Sequence, residues 1–155
     1  MPTLISKIEN QTFYNCKSLK SIIITAKVSE IEEEAFANCE SLEEIKFVSF
    51  IKTNDNDDIK LRIGERSFKN CKNLNPFKFS TQLDSVAESA FEGCTKLMAV
   101  TFKSMVSYIG KNAFLDCNIE EVTVPPQFMK DYEKIFNRKN RKELGIKKEV
   151  QIYDK

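Results

Sequence analysis

The apolar positions of this chain recur in a fixed order. Five times a small residue is followed by phenylalanine and, three places later, by cysteine: Phe13, Phe36, Phe68, Phe91 and Phe114 precede Cys16, Cys39, Cys71, Cys94 and Cys117. Both series step by 23, 32, 23 and 23 residues, so one nine-residue insertion leaves the register intact on either side. Counting from cysteine, the third position holds Leu19, Leu42, Leu74 or Leu97. The sixth holds Ile22, Ile45, Phe77 or Val100, and the eighth Ile24, Phe47, Phe79 or Phe102. The fifth unit is one residue shorter and supplies Ile119, Val122 and Val124. Apolar residues two apart predict a short strand with one buried face.

A second apolar pair precedes each phenylalanine: Ile5 and Ile8, Val28 and Ile31, Leu83 and Val86, Val106 and Ile109. In the third unit Ile63 fits, but Lys60 falls where its partner belongs, which predicts a strand shifted by the insertion. The residue before each phenylalanine (Thr12, Ala35, Ser67, Ala90, Ala113) is small and is expected to permit a tight helical turn. A unit this poor in apolar residues cannot fold alone. Stacked units bury each position against itself, about 4.8 Å apart where strands pair. The expectation is an α/β repeat solenoid, right-handed, of five ~23-residue units with short parallel strands and helical turns. Leu19, Leu42, Leu74, Leu97 and Ile119 should form one interior column, the phenylalanines a second, and the cysteines should line the interior. Unit one begins almost at Met1, so its rung should be exposed or continued by a longer protein.

The segments "IGKNAFLDC", followed by "VTVP", and "IEEEAFANCESLEEIKF" resemble the BspA-like, treponemal class of leucine-rich repeat, whose consensus runs I-G-x-x-A-F-x-x-C-x-x-L-x-x-I-x-I-P. The resemblance covers residues 5 to about 126; "VPPQFMKDYEKIFNRKN" resembles the helix that closes such arrays. Departures are the insertion, the short fifth unit, and proline after the strand only in the fifth unit. The resemblance implies a curved solenoid whose L-x-x-I-x-I strands form one parallel sheet. It also implies a non-enzymatic protein, of a kind often found at cell surfaces binding host or matrix components.

At 155 residues the chain makes one domain: a solenoid over 1–126, with the insertion at about 48–60, and a cap over 127–155. In the cap, Phe128, Tyr132, Ile135 and Phe136 share one helix face, and "EVQIYD" reads as one more edge strand. Eight basic residues between 130 and 148, against three acids, read as its solvated side. A net charge of +1 gives no pull toward nucleic acid, and no stretch is apolar enough for membrane insertion. No signal peptide opens the chain as given, so residence is the cell surface or secretion by resemblance, and the cytoplasm if Met1 is the natural start. A monomer or a piece of a longer protein is expected.

Little in the chain promises reaction chemistry. There is no histidine, so the cysteines lack a catalytic base, and their spacing offers no paired metal ligands. They are expected to be reduced core residues. The loop "TNDNDD", residues 53–58, lacks glycine at the sixth position of a calcium loop and reads as solvated. No cofactor is expected. "NQT" at Asn10 is a glycosylation sequon. Binding is expected on the outward face of the main strands: Glu43, Glu44 and Lys46, then Asn75 and Lys78, then Met98 and Thr101, then Glu120 and Glu121. The glutamate pairs would flank a more neutral patch of Asn75, Pro76, Met98, Ala99 and Thr101. The function expected is a protein-binding, adhesion-type module, or alternatively an intracellular repeat scaffold; the partner is a protein in either case.

Overall fold

The structure, a computed structural model, describes residues 5–25, 27–48, 60–79, 82–146 and 149–154, the side chains of Phe77 and Lys78 excepted. Strands before each phenylalanine are β1 (Lys7–Ile8), β3 (Glu30–Ile31), β5 (Lys60–Ile63), β7 (Gln82–Val86) and β9 (Tyr108–Ile109). They pair in parallel in the order β1-β3-β5-β7-β9, a β-solenoid of about four turns. The expected shift in the third unit is a bulge. Leu61 pairs with Leu83, and after one skipped residue Ile63 pairs with Val86, so Leu61 fills the position that Lys60 could not.

The main strands after each cysteine are β2 (Ser21–Thr25), β4 (Glu44–Val48), β6 (Phe77–Lys78), β8 (Ala99–Thr101) and β10 (Glu121–Val124). They differ from the single sheet that the resemblance implies. Among the described residues β2 and β4 form one parallel pair, and β6, β8, β10 and β11 (Gln151–Asp154) form a second sheet. The insertion enters the chain at this break; residues 49–59, with the "TNDNDD" tract, Phe50 and Ile51, lie outside the described residues.

Between the two rows of strands the chain bends at phenylalanine, and here the expected helical turn does not form. The N–H groups of Thr12, Tyr14 and Cys16 donate to the carbonyls three residues back at 3.0–3.2 Å. Gln11 and Asn15, two residues either side of Phe13, have φ of 56° and 61°. The same pair of left-handed residues flanks the other phenylalanines at Glu34 and Asn38, Arg66 and Asn70, Ser89 and Gly93, and Asn112 and Asp116. Positive φ interrupts a helix at each of these points, so the bend is a run of β-turns. Hydrogen bonds between rungs hold that conformation: the N–H groups of Gln11, Phe13 and Asn15 donate to the carbonyls of Glu33, Ala35 and Ala37 at 3.1, 2.7 and 2.8 Å.

Five phenylalanine rings consequently stack face to face, with centroids 5.0, 5.1, 5.2 and 5.7 Å apart and planes within 9°. Leu42, Leu74, Leu97 and Ile119 are buried beside them, and Leu19 of the first rung is half-buried. A second aromatic column runs from Phe47 through Phe79 and Phe102 to Tyr132, at 5.9, 6.2 and 5.0 Å. Tyr132 belongs to α1 (Met129–Ile135), which follows a 3-10 turn at Pro126–Phe128. Its ring is buried and its hydroxyl donates to the Ser104 carbonyl at 2.7 Å.

After α2 (Arg138–Glu143), capped by the Asn137 side chain, the chain returns to the stack. The carbonyls of Glu143 and Leu144 accept from the N–H groups of Asn112 and Phe114, the places that turn residues take at every lower level. Gly145, with φ of 81°, lies flat on the fifth turn; a Cβ there would stand 2.5 Å from the Leu115 Cα. "EVQIYD" then supplies the edge strand expected of it, β11, parallel to β10 with Glu121 opposite Gln151 and Thr123 opposite Tyr153.

Candidate functional site: the main-strand face and its interior support

The face rests on a row of thiols whose role sequence reasoning missed. The Sγ–H groups of Cys39, Cys71, Cys94 and Cys117 donate to the carbonyls of Phe13, Phe36, Phe68 and Phe91 at 3.0, 3.2, 3.1 and 2.9 Å. Each of these carbonyls also accepts the backbone N–H of the cysteine in its own rung at 3.1 Å. A buried carbonyl has two lone pairs to satisfy, and the thiol of the next rung takes the second. The spacing F-x-x-C is therefore a hydrogen-bonding device as well as a packing one. All five thiols are free. Burial pushes Cys39 up to about 11 and raises Cys71 and Cys94 further above the ordinary thiol value. Cys16 departs from the expected interior position and is exposed, because the described residues contain no rung before the first whose carbonyl it could meet.

On the outside, Glu43, Glu44, Lys46, Asn75, Pro76, Glu120 and Glu121 are exposed, and Ala99 and Thr101 are half-buried. Met98 is 50% exposed although apolar. Lys78 stands in β6 opposite Thr101. The backbone places these residues in rows: Ser21 opposite Glu44 and Ile23 opposite Lys46, then Ala99 opposite Glu121 and Thr101 opposite Thr123. Lys46 pairs with Glu44 at 3.1 Å, with both side chains more than half exposed, so solvent screens the pair strongly.

Two features alter the surface that the sequence suggested. The break between β4 and β6 separates Glu43, Glu44 and Lys46 from the remaining site residues in the hydrogen-bonded sheet. Glu120 and Glu121 also do not form the rim, because β11 adds Gln151 and the 41% exposed Tyr153 beyond them. The alternation in "EVQIYD" carries that signal, since an edge strand with Ile152 turned inward turns Tyr153 outward. Elsewhere the acids are spent on ion pairs between rungs. Lys7 meets Glu32 at 2.5 Å, and Arg66 meets Glu33 and Glu34 of the preceding rung at 2.5 and 3.3 Å and its own neighbour Glu65 at 3.1 Å. The described residues hold no cluster of three potential metal ligands, and no helix among them is long and apolar enough to cross a membrane.

The pattern of stacked phenylalanine, thiol and strand extends over most of the chain, and the model of one family, the BspA type leucine-rich repeat region, matches residues 1–57 and 61–155 in 6 copies. This chain belongs to that family. Two solved bacterial structures share the fold of this BspA-type repeat protein. A leucine-rich repeat protein of T. pallidum is 25% identical with a TM-score of 0.65, over 77% of this chain and 52% of its own. A leucine-rich repeat protein from Bacteroides ovatus is also 25% identical with a TM-score of 0.65, over 96% of this chain and 35% of its own. The chain thus spans about half and about a third of these two relatives. Among curated proteins none matches it.

Proposed function

We propose that this BspA-type chain is a non-catalytic protein-binding module that docks its partner on the main-strand face. We read it as a right-handed array of five consensus units closed by α1 and α2, belonging to a cell-surface or secreted protein. The exposure of Met98 carries the reading. A large apolar side chain stands half in solvent immediately before β8, at the edge of a parallel sheet, while the stack beneath holds together without it. Acidic residues lie to either side, Glu43 and Glu44 on one and Glu120 and Glu121 on the other, so the surface suits a partner with an apolar centre and basic margins.

The test is Met98→Arg measured against a protein partner captured on the immobilised wild-type chain. Binding should be abolished with the melting temperature nearly unchanged, since the residue is exposed. Deleting residues 52–57 should weaken binding more modestly. Binding that survives both changes but fails when Arg138, Lys139, Arg141 and Lys142 are neutralised would remove the site from the main-strand face.

A further inference from the structure

The contacts between rungs have a direction. At each bend three N–H groups, two residues apart, donate to the rung that follows. Those of Arg66, Phe68 and Asn70, for example, reach the carbonyls of Glu88, Ala90 and Glu92 at 3.1, 2.8 and 2.7 Å. In the strands the direction reverses, and the N–H groups of Glu32, Gly64 and Ala87 donate back to the carbonyls of Ile8, Ile31 and Ile63. The first rung therefore presents a fixed pattern at its outer end. The carbonyls of Asn10, Thr12 and Tyr14 stand where those of Glu88, Ala90 and Glu92 stand in the fourth rung, and no described N–H meets them. The Glu9 N–H, in the place of Ala87, has no described backbone acceptor. Phe13 ends the ring stack half-buried, and the Cys16 thiol is exposed. Between β1 and β2 a cleft of about 520 Å³ opens onto Ile5, Ile8, Phe13, Ile22 and Ile24.

We propose that this end is a second binding site, which takes a basic BspA-type repeat rung, exposed at the end of a partner protein, as one more level of the stack. The groups at the end all call for the same ligand. It needs three bend N–H groups two residues apart for the carbonyls of Asn10, Thr12 and Tyr14, with phenylalanine at the middle one to cover Phe13. The carbonyl of that phenylalanine then accepts the Cys16 Sγ–H, as the Phe68 carbonyl accepts that of Cys94 at 3.1 Å. Charge follows from the same register. Lys7, immediately before Ile8, meets Glu32 of the next rung at 2.5 Å. Glu9 stands in the place of Glu32, so a ligand cation immediately before its strand aliphatic is matched. Residues 1–48 carry eight glutamates against five lysines, which extends the preference. A second copy does not fit. Turned end to end, it sets acceptor against acceptor at the bend. At its other end Glu143 and Leu144 take up the N–H groups of Asn112 and Phe114, and the N–H groups of Leu144, Gly145 and Ile146 donate within the cap. This site goes beyond the function proposed above, because it lies at the end of the stack and not on the main-strand face.

The experiment uses the full chain and a blocked peptide copying residues 60–80, a rung with Arg62 before Ile63 and six basic residues against one acid. The peptide carries Cys71→Ser, so that every thiol followed belongs to the chain. Labelling of Cys16 by a thiol reagent is read by mass spectrometry as peptide is added. Its rate should fall at least ~10-fold at saturation, because the bound rung covers the thiol and accepts its S–H. The midpoint should lie on the order of 100 µM, since ordering a free peptide offsets much of the contact energy. N-methylation at the positions copied from Phe68 and Asn70 should raise the midpoint at least ~10-fold, by removing two donors. Arg62→Ser in the peptide should raise it several-fold at low salt and very little at high salt. Undiminished labelling at about 1 mM peptide would overturn the proposal. Equal protection by the N-methylated peptide would do so as well, by showing that the ladder through the bend is not the mode of contact. If Cys16 in the chain alone were labelled as slowly as Cys71, the end would already be covered by the chain itself or by a second copy, and a partner's rung would be ruled out.

Discussion

Removing one ring from the middle of the phenylalanine stack should cost far more than removing one from its end. Phe68 is fully buried and stacks on Phe36 and Phe91 at 5.1 and 5.2 Å. Phe13 is half-buried, stands at the end of the stack and meets Phe36 at 5.0 Å. Truncating a buried phenylalanine to alanine costs about 3–5 kcal/mol, and rigid neighbours above and below prevent the site from collapsing, so Phe68→Ala belongs at about 5 kcal/mol. Phe13→Ala loses about half that area and one ring contact where Phe68→Ala loses two, and belongs at about 2 kcal/mol. A domain of this size is stable by roughly 5–15 kcal/mol, so the central change threatens folding while the terminal one does not. Urea unfolding followed by circular dichroism measures both. With a slope of about 2 kcal/mol per molar, the Phe68→Ala midpoint should fall about 1.5 M below that of Phe13→Ala. Equal costs for the two variants, to within about 0.5 kcal/mol, would refute the view that the rings stabilise one another rung by rung.

The thiols give three further expectations. In the native chain Cys16 should react with a thiol reagent at once and Cys39, Cys71 and Cys94 slowly, with all five reacting after denaturation; fewer than five without reductant would reveal a disulfide. Cys71→Ala should cost about 1–2 kcal/mol in urea unfolding, for the lost sulfur packing and the lost donor to Phe36. Because folding raises the Cys39 thiol from 9.0 to about 11, its contribution is complete below pH 9 and is lost as pH rises through 11; the alkaline fall in the urea midpoint should be shallower in Cys39→Ala. At the other end of the stack, Tyr132→Phe should cost about 1 kcal/mol in thermal unfolding, by removing the hydrogen bond to Ser104 from a buried site.

The repeat was legible because its interior positions are chemically monotonous: the same ring, the same thiol and the same aliphatic residue return at one period. The bend at each phenylalanine was not. Its first left-handed position holds Gln11, Glu34, Arg66, Ser89 and Asn112, residues that mostly give no sign of positive φ. Its second holds Asn15, Asn38, Asn70, Gly93 and Asp116, which are turn formers, but read alone they fit a helix end equally well. The tie from each thiol to the preceding rung was hidden for another reason. It joins residues 26 or 35 apart in the chain, and only the stacking offset brings them together. On the surface, the insertion was plain from the interval of 32, but the sheet break beside it depends on pairing that no periodicity encodes.

That sheet break has a mechanical consequence. Three bonded lines run the length of the molecule: the sheet before the phenylalanines, the ladder through the bends, and the row of main strands. The first two cross from the second level to the third without interruption. Among the described residues the third crosses by the N–H of Asn75 donating to Glu43 and by the contact of Phe47 with Phe79, with no strand pairing. Stiffness is therefore uneven. A load that flexes the array toward its main-strand side meets continuous ladders everywhere except at this seam, and the curvature of the binding face changes first there, as a book opens along its spine.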